Sequence, residues 1–340
     1  MNTTGGHRSV SSVCGDERTE VTMRSGIVGM ILSAALVTAC TADTRSQSED
    51  TGHSLEPTCG PLDSMPHGAI AFSRLDASGS AAIYMMDPDG SDRRCLVDTP
   101  GQDEDPAWSP DGTSIAFTSD ADGDLNIYTV RADGTRLVQI TDSPLNEYGP
   151  VWSPDGRRIA YSSWETEQGP FAIHVMHRDG TNAETLLESG GKFEYIQLHD
   201  WSPDGSSLLW NGYPGTDLLR MDPDGSHIRP IAGGPGEFGS GAVYSPDGSQ
   251  VLFQADLRGG CLYVMKADGT GLKRLTRGCA EGFTMTWSPD GRWIAWAGGS
   301  HGPADASVMR ADGSDRRLID DGSDAAYLAW QPDPEGHGNP

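Results

Sequence analysis

The sequence predicts an all-β fold, a six-bladed β-propeller of four-stranded antiparallel blades. Two punctuation series point to it. Ser-Pro-Asp-Gly recurs at 109–112, 153–156, 202–205, 245–248 and 288–291, and an aromatic residue precedes each copy: Trp108, Trp152, Trp201, Tyr244 and Trp287. A blurred sixth copy, Gln331-Pro332-Asp333, follows Trp330. Asp-Gly turns form the second series, at Gly90, Gly134, Gly180, Gly225, Gly269 and Gly313. Successive members of either series lie 43 to 49 residues apart. Two independent marks with one period are the signature of a repeat array.

One repeat, 106–141, contains four short strands. Ala107-Trp108 leads into a turn in which Pro110 presets φ, Asp111 bonds its own backbone and Gly112 takes the left-handed conformation. Segments 114–118 and 126–130 are rich in β-branched and aromatic residues and too short for helices. Asp133-Gly134 is a strong hairpin signal between the third strand and the fourth, 137–140. Such a unit cannot bury both faces alone, so neighbouring units must stack and close into a ring. The aromatic before each Ser-Pro-Asp-Gly is expected to pack between blades. The chain ends complete the ring. Segments 69–73, 83–86 and 95–97 supply strands two to four of a blade whose first strand is 326–330, so the seam leaves no open sheet edge.

The pattern aromatic-Ser-Pro-Asp-Gly, an Ile-Ala-Phe-like strand, an Ile-Tyr-like strand and Asp-Gly resembles the Pro-Asp variant of the WD repeat found in TolB-type propellers. The resemblance covers residues 66–336. TolB-type proteins carry an α/β domain ahead of the propeller, whereas here only a short leader precedes the first blade. The resemblance therefore implies a fold and a mode of binding rather than membership of the Tol system. Related propellers precede serine peptidase domains, and none is expected in a chain that stops at Pro340.

Met23-Arg24-Ser25 followed by the apolar run 27–37 reads as a signal peptide, and Val37-Thr38-Ala39-Cys40 resembles a bacterial lipobox. The apolar run is too short to span a bilayer. Residues 1–39 are thus expected to be leader and lipoprotein signal peptide, with translation starting at Met23. Cys40 is the expected lipid attachment site, 40–65 a polar disordered tether, and 337–340 a tail. The domain is expected to be extracytoplasmic and lipid-anchored, in the periplasm or on the outer face of a cell membrane. With Cys40 lipidated and Cys14 in the leader, four cysteines remain and allow three pairings. Cys261 opens a third strand and Cys279 closes the following fourth, which antiparallel pairing about Gly269 sets opposite one another. That pairs Cys261 with Cys279 and leaves Cys59 for Cys95. No Cys-x-x-Cys metal spacing occurs.

The chain carries 24 Lys plus Arg against 49 Asp plus Glu, a net charge of −25. Such a surface repels nucleic acid and favours cations or basic polypeptides. Turn aspartates account for part of the excess. A further series, Glu104, Glu147, Glu194, Glu237, Glu281 and Asp324, precedes the aromatic anchors by four to seven residues, in links expected to ring one mouth of the central channel. Tyr148, Phe193, Tyr195, Phe238, Phe283 and Tyr327 accompany it. Six carboxylates in a low-dielectric funnel would focus negative potential on a cation or a basic peptide. Loops 164–170 and 298–305 lie on the same face and are natural specificity elements.

Other signals are weak. Asp120, Asp122 and Asp124 copy the start of an EF-hand loop, but Leu125 stands where Gly is required and Arg131 where the bidentate Glu belongs. Gly234, Gly236 and Gly239 match the dinucleotide fingerprint with no helix after them. His174 and His177 point to opposite faces of one strand. His199 shares an inner strand with Trp201. These observations favour a non-catalytic, monomeric binding module without a cofactor, whose partner is a basic envelope protein or peptide. The alternatives are a carbohydrate-active propeller lyase or hydrolase using paired mouth carboxylates, and a sensor in which calcium in the mouth regulates docking.

Overall fold

A computed structural model describes residue 59 and residues 68–75, 79–166, 168–214, 218–232, 241–255, 261–276, 284–298, 305–320 and 325–333. Their secondary structure is entirely β. The chain begins with β1 (Ile70–Leu75), β2 (Ala81–Met86) and β3 (Arg94–Val97). The second blade comprises β4 (Asp103–Trp108), β5 (Ser114–Ser119), β6 (Asn126–Arg131) and β7 (Val138–Gln139). The third holds β8 (Asn146–Trp152), β9 (Arg158–Trp164), β10 (Phe171–His177) and β11 (Glu184–Glu188). The fourth holds β12 (Tyr195–Trp201), β13 (Leu208–Tyr213), β14 (Leu218–Met221) and β15 (Arg229–Ala232). The fifth holds β16 (Ala242–Tyr244), β17 (Gln250–Ala255), β18 (Cys261–Lys266) and β19 (Lys273–Arg274). The sixth holds β20 (Thr284–Trp287), β21 (Trp293–Gly298), β22 (Asp305–Arg310) and β23 (Arg317–Asp320). The final strand, β24 (Ala325–Trp330), returns to pair with β1, so the first blade is ordered β24-β1-β2-β3. The innermost strands touch in the cycle β24, β4, β8, β12, β16, β20 and back to β24, which closes a six-bladed propeller.

Alternation along each strand splits the core into wedges between blades. In β5, Ile115 and Phe117 pack with Ile83, Met85 and Leu96 of the first blade. Ala116, from the opposite face of β5, packs with Trp152, Ile159 and Tyr161 of the third. Each neighbouring pair of blades shares one such cluster. The repeated aromatics sit in these wedges. The Trp108 indole N–H donates to the Ala329 carbonyl of the preceding inner strand (3.1 Å), and that of Trp152 to Ala107 (3.2 Å). Tyr244 reaches back by hydroxyl to Ser207 (3.2 Å).

The Ser-Pro-Asp-Gly turns are closed by their own side chains. Ser109 Oγ donates to Asp111 (2.6 Å) and accepts from the Ser114 N–H (3.0 Å), while Gly112 N–H bonds the Ser109 carbonyl (2.8 Å). These bonds, with that from Thr113, outweigh burial and hold the Asp111 carboxyl below the usual carboxylate range. The blurred copy has its own task at the seam. Gln331 accepts from the N–H groups of Gly68 and Ala69 (3.1 and 3.3 Å) and donates to the Gly112 carbonyl (3.1 Å). Arg93 also crosses the seam, to the buried Asp320 (3.0 Å) and the Ile319 carbonyl (3.0 Å).

A disulfide joins Cys59 to Cys95 on β3, the outer strand of the shared blade, with Cα atoms 5.8 Å apart. Cys261 is also disulfide-bonded. Its expected partner Cys279, together with Cys14, Met23, Cys40 and the tether apart from Cys59, lies outside the described residues. The fourth strands are shorter than the pattern suggested, two residues in β7 and β19, because these outer edges are largely solvated.

The Asp-Gly turns pack against the outer strand of the preceding blade. Gly180 has φ +82°, and a Cβ there would collide with the Ile140 carbonyl, whereas Gly79 has φ +85° with open space around it. Gly79→Ala is expected to cost about 1 kcal/mol from left-handed strain alone. Gly180→Ala should cost about 3 kcal/mol or more, because backbone must also move. Urea denaturation of the two variants checks this, and equal losses would remove the inter-blade contact from the explanation.

Candidate functional site

Both turn series lie at one end of the blades, so the links and the loops between second and third strands surround the opposite mouth. At this level the inner strands are bulged. The ladder slips between Glu104 and Ala107, between Tyr148 and Val151, and between Leu198 and Asp200. The pairing of β24 with β1 slips likewise. Left-handed backbone marks the same position, three residues before the anchor, at Asp105 (φ 53°), Gly149 (62°), Gly241 (59°) and Tyr327 (52°). Bulges re-aim side chains out of the ladder. Here they do so at Asp105, His199 and Tyr327.

Three of the six mouth acids are described, and they occupy three environments. Glu104 is half-buried on β4, and burial, reinforced by Asp105, Asp120 and Asp103, pushes its carboxyl up to about 7. Glu147 is buried on β8, accepts from Ser143 Oγ (2.9 Å) and is raised mainly by burial, with Oε2 unpartnered among the described residues. Glu194 is exposed just ahead of β12. Glu104 and Glu147 therefore stand in the inner strands rather than in the links, because pairing continues past the bulge to Glu104↔Thr118 and Glu147↔Ser163. Glu237, Glu281 and Asp324 lie outside the described residues.

Carboxylates that the spacing argument missed complete the site. Asp105 accepts from Thr118 Oγ1 (3.2 Å), and burial raises it to about 6. Burial lifts Tyr327 well above the usual phenol range, and the charges of Asp105 and then Glu104 add to it, so the three groups form one cluster across the first and second blades. Asp103 is fully buried. It accepts from the Thr99 N–H (2.8 Å) and hydroxyl (2.7 Å), and burial raises it to about 6, so it braces the link. Counting back from each anchor, rather than searching the links for acids, would have found Asp105 and set it level with Tyr327, one of the expected mouth aromatics.

Farther along the inner strands, Asp200 ties two blades. Its carboxylate accepts from the Tyr244 N–H of the next blade (2.7 Å) and from the Trp201 N–H (2.7 Å), while burial raises it to about 7. His199 donates from Nε2 to Asn211 Oδ1 (3.0 Å), and burial lowers it to about 4, so the ring is neutral at neutral pH. His174 is buried between Ser163 (2.7 Å) and Thr185 (3.1 Å), while His177 is exposed. The mouth aromatics pair edge to face, Tyr148 on Trp164 (4.7 Å), Tyr195 on Phe171 (4.8 Å) and Phe193 on Trp210 (5.2 Å). In the EF-hand-like loop, Asp122 accepts from Asn126 (3.1 Å) and Gln139 (2.6 Å), and Asp120 accepts from the Gln102 N–H. Among the described residues no group of three or more His, Cys, Asp or Glu is arranged to hold a metal ion.

Asp200 has a raised carboxyl, so its contribution to stability is fully present below about pH 4 and is lost as pH rises through about 7. Asp103 and Asp105 act in the same direction. Melting temperature is therefore expected to fall between about pH 4 and pH 7 and to level off above, and Asp200→Asn should flatten that fall whatever it does to absolute stability. A variant with the wild-type slope would show that Asp200 does not titrate in this window.

A family model described as TolB beta propeller domain (PD40) matches residues 41–210. The Tol-Pal system protein TolB of Anaeromyxobacter dehalogenans (strain 2CP-C) is 32% identical over 124 residues, which are 35% of this chain and 27% of that protein. The chain thus spans about a quarter of the length of this curated relative. The crystal structure of TolB from Acinetobacter baumannii superposes with a TM-score of 0.69 at 20% identity, covering 78% of this chain and 67% of that one. An oligogalacturonate lyase in complex with manganese superposes with a TM-score of 0.54 at 14% identity, covering 73% of each chain. Both superpositions are likenesses of fold.

Proposed function

Because this chain belongs to the TolB β-propeller domain family, we propose that it is a non-catalytic binding module of the cell envelope that captures a basic protein or peptide at its channel mouth. The observation that carries this reading is the cluster of Glu104, Asp105 and Tyr327 on adjacent inner strands, with exposed Glu194 on the same rim. Burial raises its two carboxyls, and among the described residues no cation compensates that burial. A lysine or arginine side chain supplied by a partner would offset that cost, and the ring would focus its approach. Bulged backbone fixes the position of Asp105 and Tyr327, so little ordering is left for binding. The reading needs no cofactor.

Lipidation of Cys40 would hold the domain at a membrane through the polar tether, with the mouth free to meet a partner. In a bacterial host, Cys40→Ala is expected to abolish incorporation of labelled fatty acid and release the protein from membranes. Retention of label would move the attachment elsewhere.

Fluorescence anisotropy with a labelled Lys/Arg-rich peptide tests the mouth. Affinity should rise with pH from about 5.5 to 8 and weaken with salt. Glu104→Gln combined with Asp105→Asn should weaken binding about tenfold or more and flatten the pH dependence. Wild-type-like binding by this variant would place capture elsewhere on the surface.

A further inference from the structure

The six repeats serve as internal controls for one another, and at one groove on the turn face the second and third blades depart from them three times. Five residues before each Asp-Gly glycine, Met85, Val175, Val264 and Val308 are buried in inter-blade clusters, but the second blade has the half-buried Thr129 and the fourth Arg220. Two residues before the glycine stand Pro88, Ala132, Pro223, Ala267 and Ala311, but the third blade has Arg178. Two residues after it the backbone is left-handed in every blade, at Asp92, Asn182, His227, Gly271 and Asp315, types that tolerate this conformation. The second blade has Arg136 there, at φ 56°.

These departures converge. Thr129, Arg131, Asp133, Arg136 and Val138 of the second blade and Arg178 of the third line a single cavity of about 570 Å³. Thr129 places a hydroxyl where four other blades carry an aliphatic side chain, and Arg178 and Arg136 bring cations to the rim. Among the described residues none of the three arginines makes an ion pair, although acids outnumber bases about two to one in the chain. The nearby acids are engaged within their own turns, Asp133 with the Thr135 N–H and hydroxyl and Asp111 with Ser109 and Thr113. Arg178 leans across the blade boundary, close enough to Asp111 to help lower its carboxyl, with its guanidinium 6.0 Å from the Trp152 ring.

We propose that this groove between the second and third blades is a binding site for a phosphate-bearing ligand, gripped by Arg131, Arg136 and Arg178, with Val138 as its apolar wall. Convergent guanidinium forks match a multiply charged phosphate better than a single carboxylate. The turn imposes a left-handed residue at this position in every blade, and the second blade alone fills it with an arginine rather than Gly, Asn, Asp or His. The site is distant from the channel mouth and independent of what binds there.

Calorimetry on the full chain tests it, with Cys40→Ala in every sample so that no acyl chain holds it to vesicles. The probes are inorganic phosphate, glycerol 1-phosphate, and vesicles of phosphatidylglycerol against phosphatidylcholine. Arg178→Ala and Arg136→Gly install residues that other blades carry, so both variants should fold, and Arg136→Gly should melt above its parent. Each should weaken phosphate binding about tenfold or more. Variant-sensitive binding of the soluble phosphates assigns a soluble ligand. The same sensitivity seen only with phosphatidylglycerol vesicles assigns a lipid headgroup. Absence of binding to every probe, binding that both variants leave unchanged, or an Arg136→Gly protein that melts below its parent would overturn the proposal.

Discussion

No blade of this protein can bury both of its faces by itself, and packing between blades is the constraint on which everything else depends. Each sheet sends alternate side chains into two different wedges, so Ile115 and Ala116 belong to different clusters although they are neighbours in sequence. The anchors Trp108 and Trp152 lock those wedges by reaching back to carbonyls of the preceding inner strand. A ring stabilised in this way must close, and closure falls to β24, Gln331 and the Arg93–Asp320 pair.

The same constraint separates scaffold from site. Turn aspartates are satisfied by their own Ser or Thr neighbours and ionise readily. Carboxylates on the inner strands are surrounded by other blades, with fewer donors, and are held near neutrality. One residue type thus performs two jobs, separated by burial and by donor count rather than by identity. On the proposed reading, the negative charge that serves binding is the small part on the inner strands rather than that invested in turns.

The fold was legible because its signals are local and repeated: proline and glycine at fixed turn positions, an aromatic before each turn, and a final strand without partners in its own vicinity. The site was legible only in part. Glu104 was named, but as one of six equivalent link residues, whereas pairing past the bulge places it in β4. Asp105 was hidden, and its pairing with the expected mouth aromatic Tyr327 with it, because a bulge shifts strand parity. Glu147 and Glu194 are the same residue type, yet one is buried on β8 and bonded to Ser143 while the other is exposed ahead of β12, a difference set by register. Alignment of the repeats to one another, rather than to a motif, brings out both the bulge position and the arginine groove.

The most direct measurement is the number of protons exchanged when the Lys/Arg-rich peptide binds, obtained by calorimetry near pH 7 in buffers of different ionisation enthalpy. Glu104 and Asp105 are partly protonated there, so capture of a cation at the mouth should release a fraction of a proton or more to solvent. Glu104→Gln with Asp105→Asn should abolish the release. Tight binding without proton release, or release that survives this substitution, would contradict the assignment of the mouth as the site of capture.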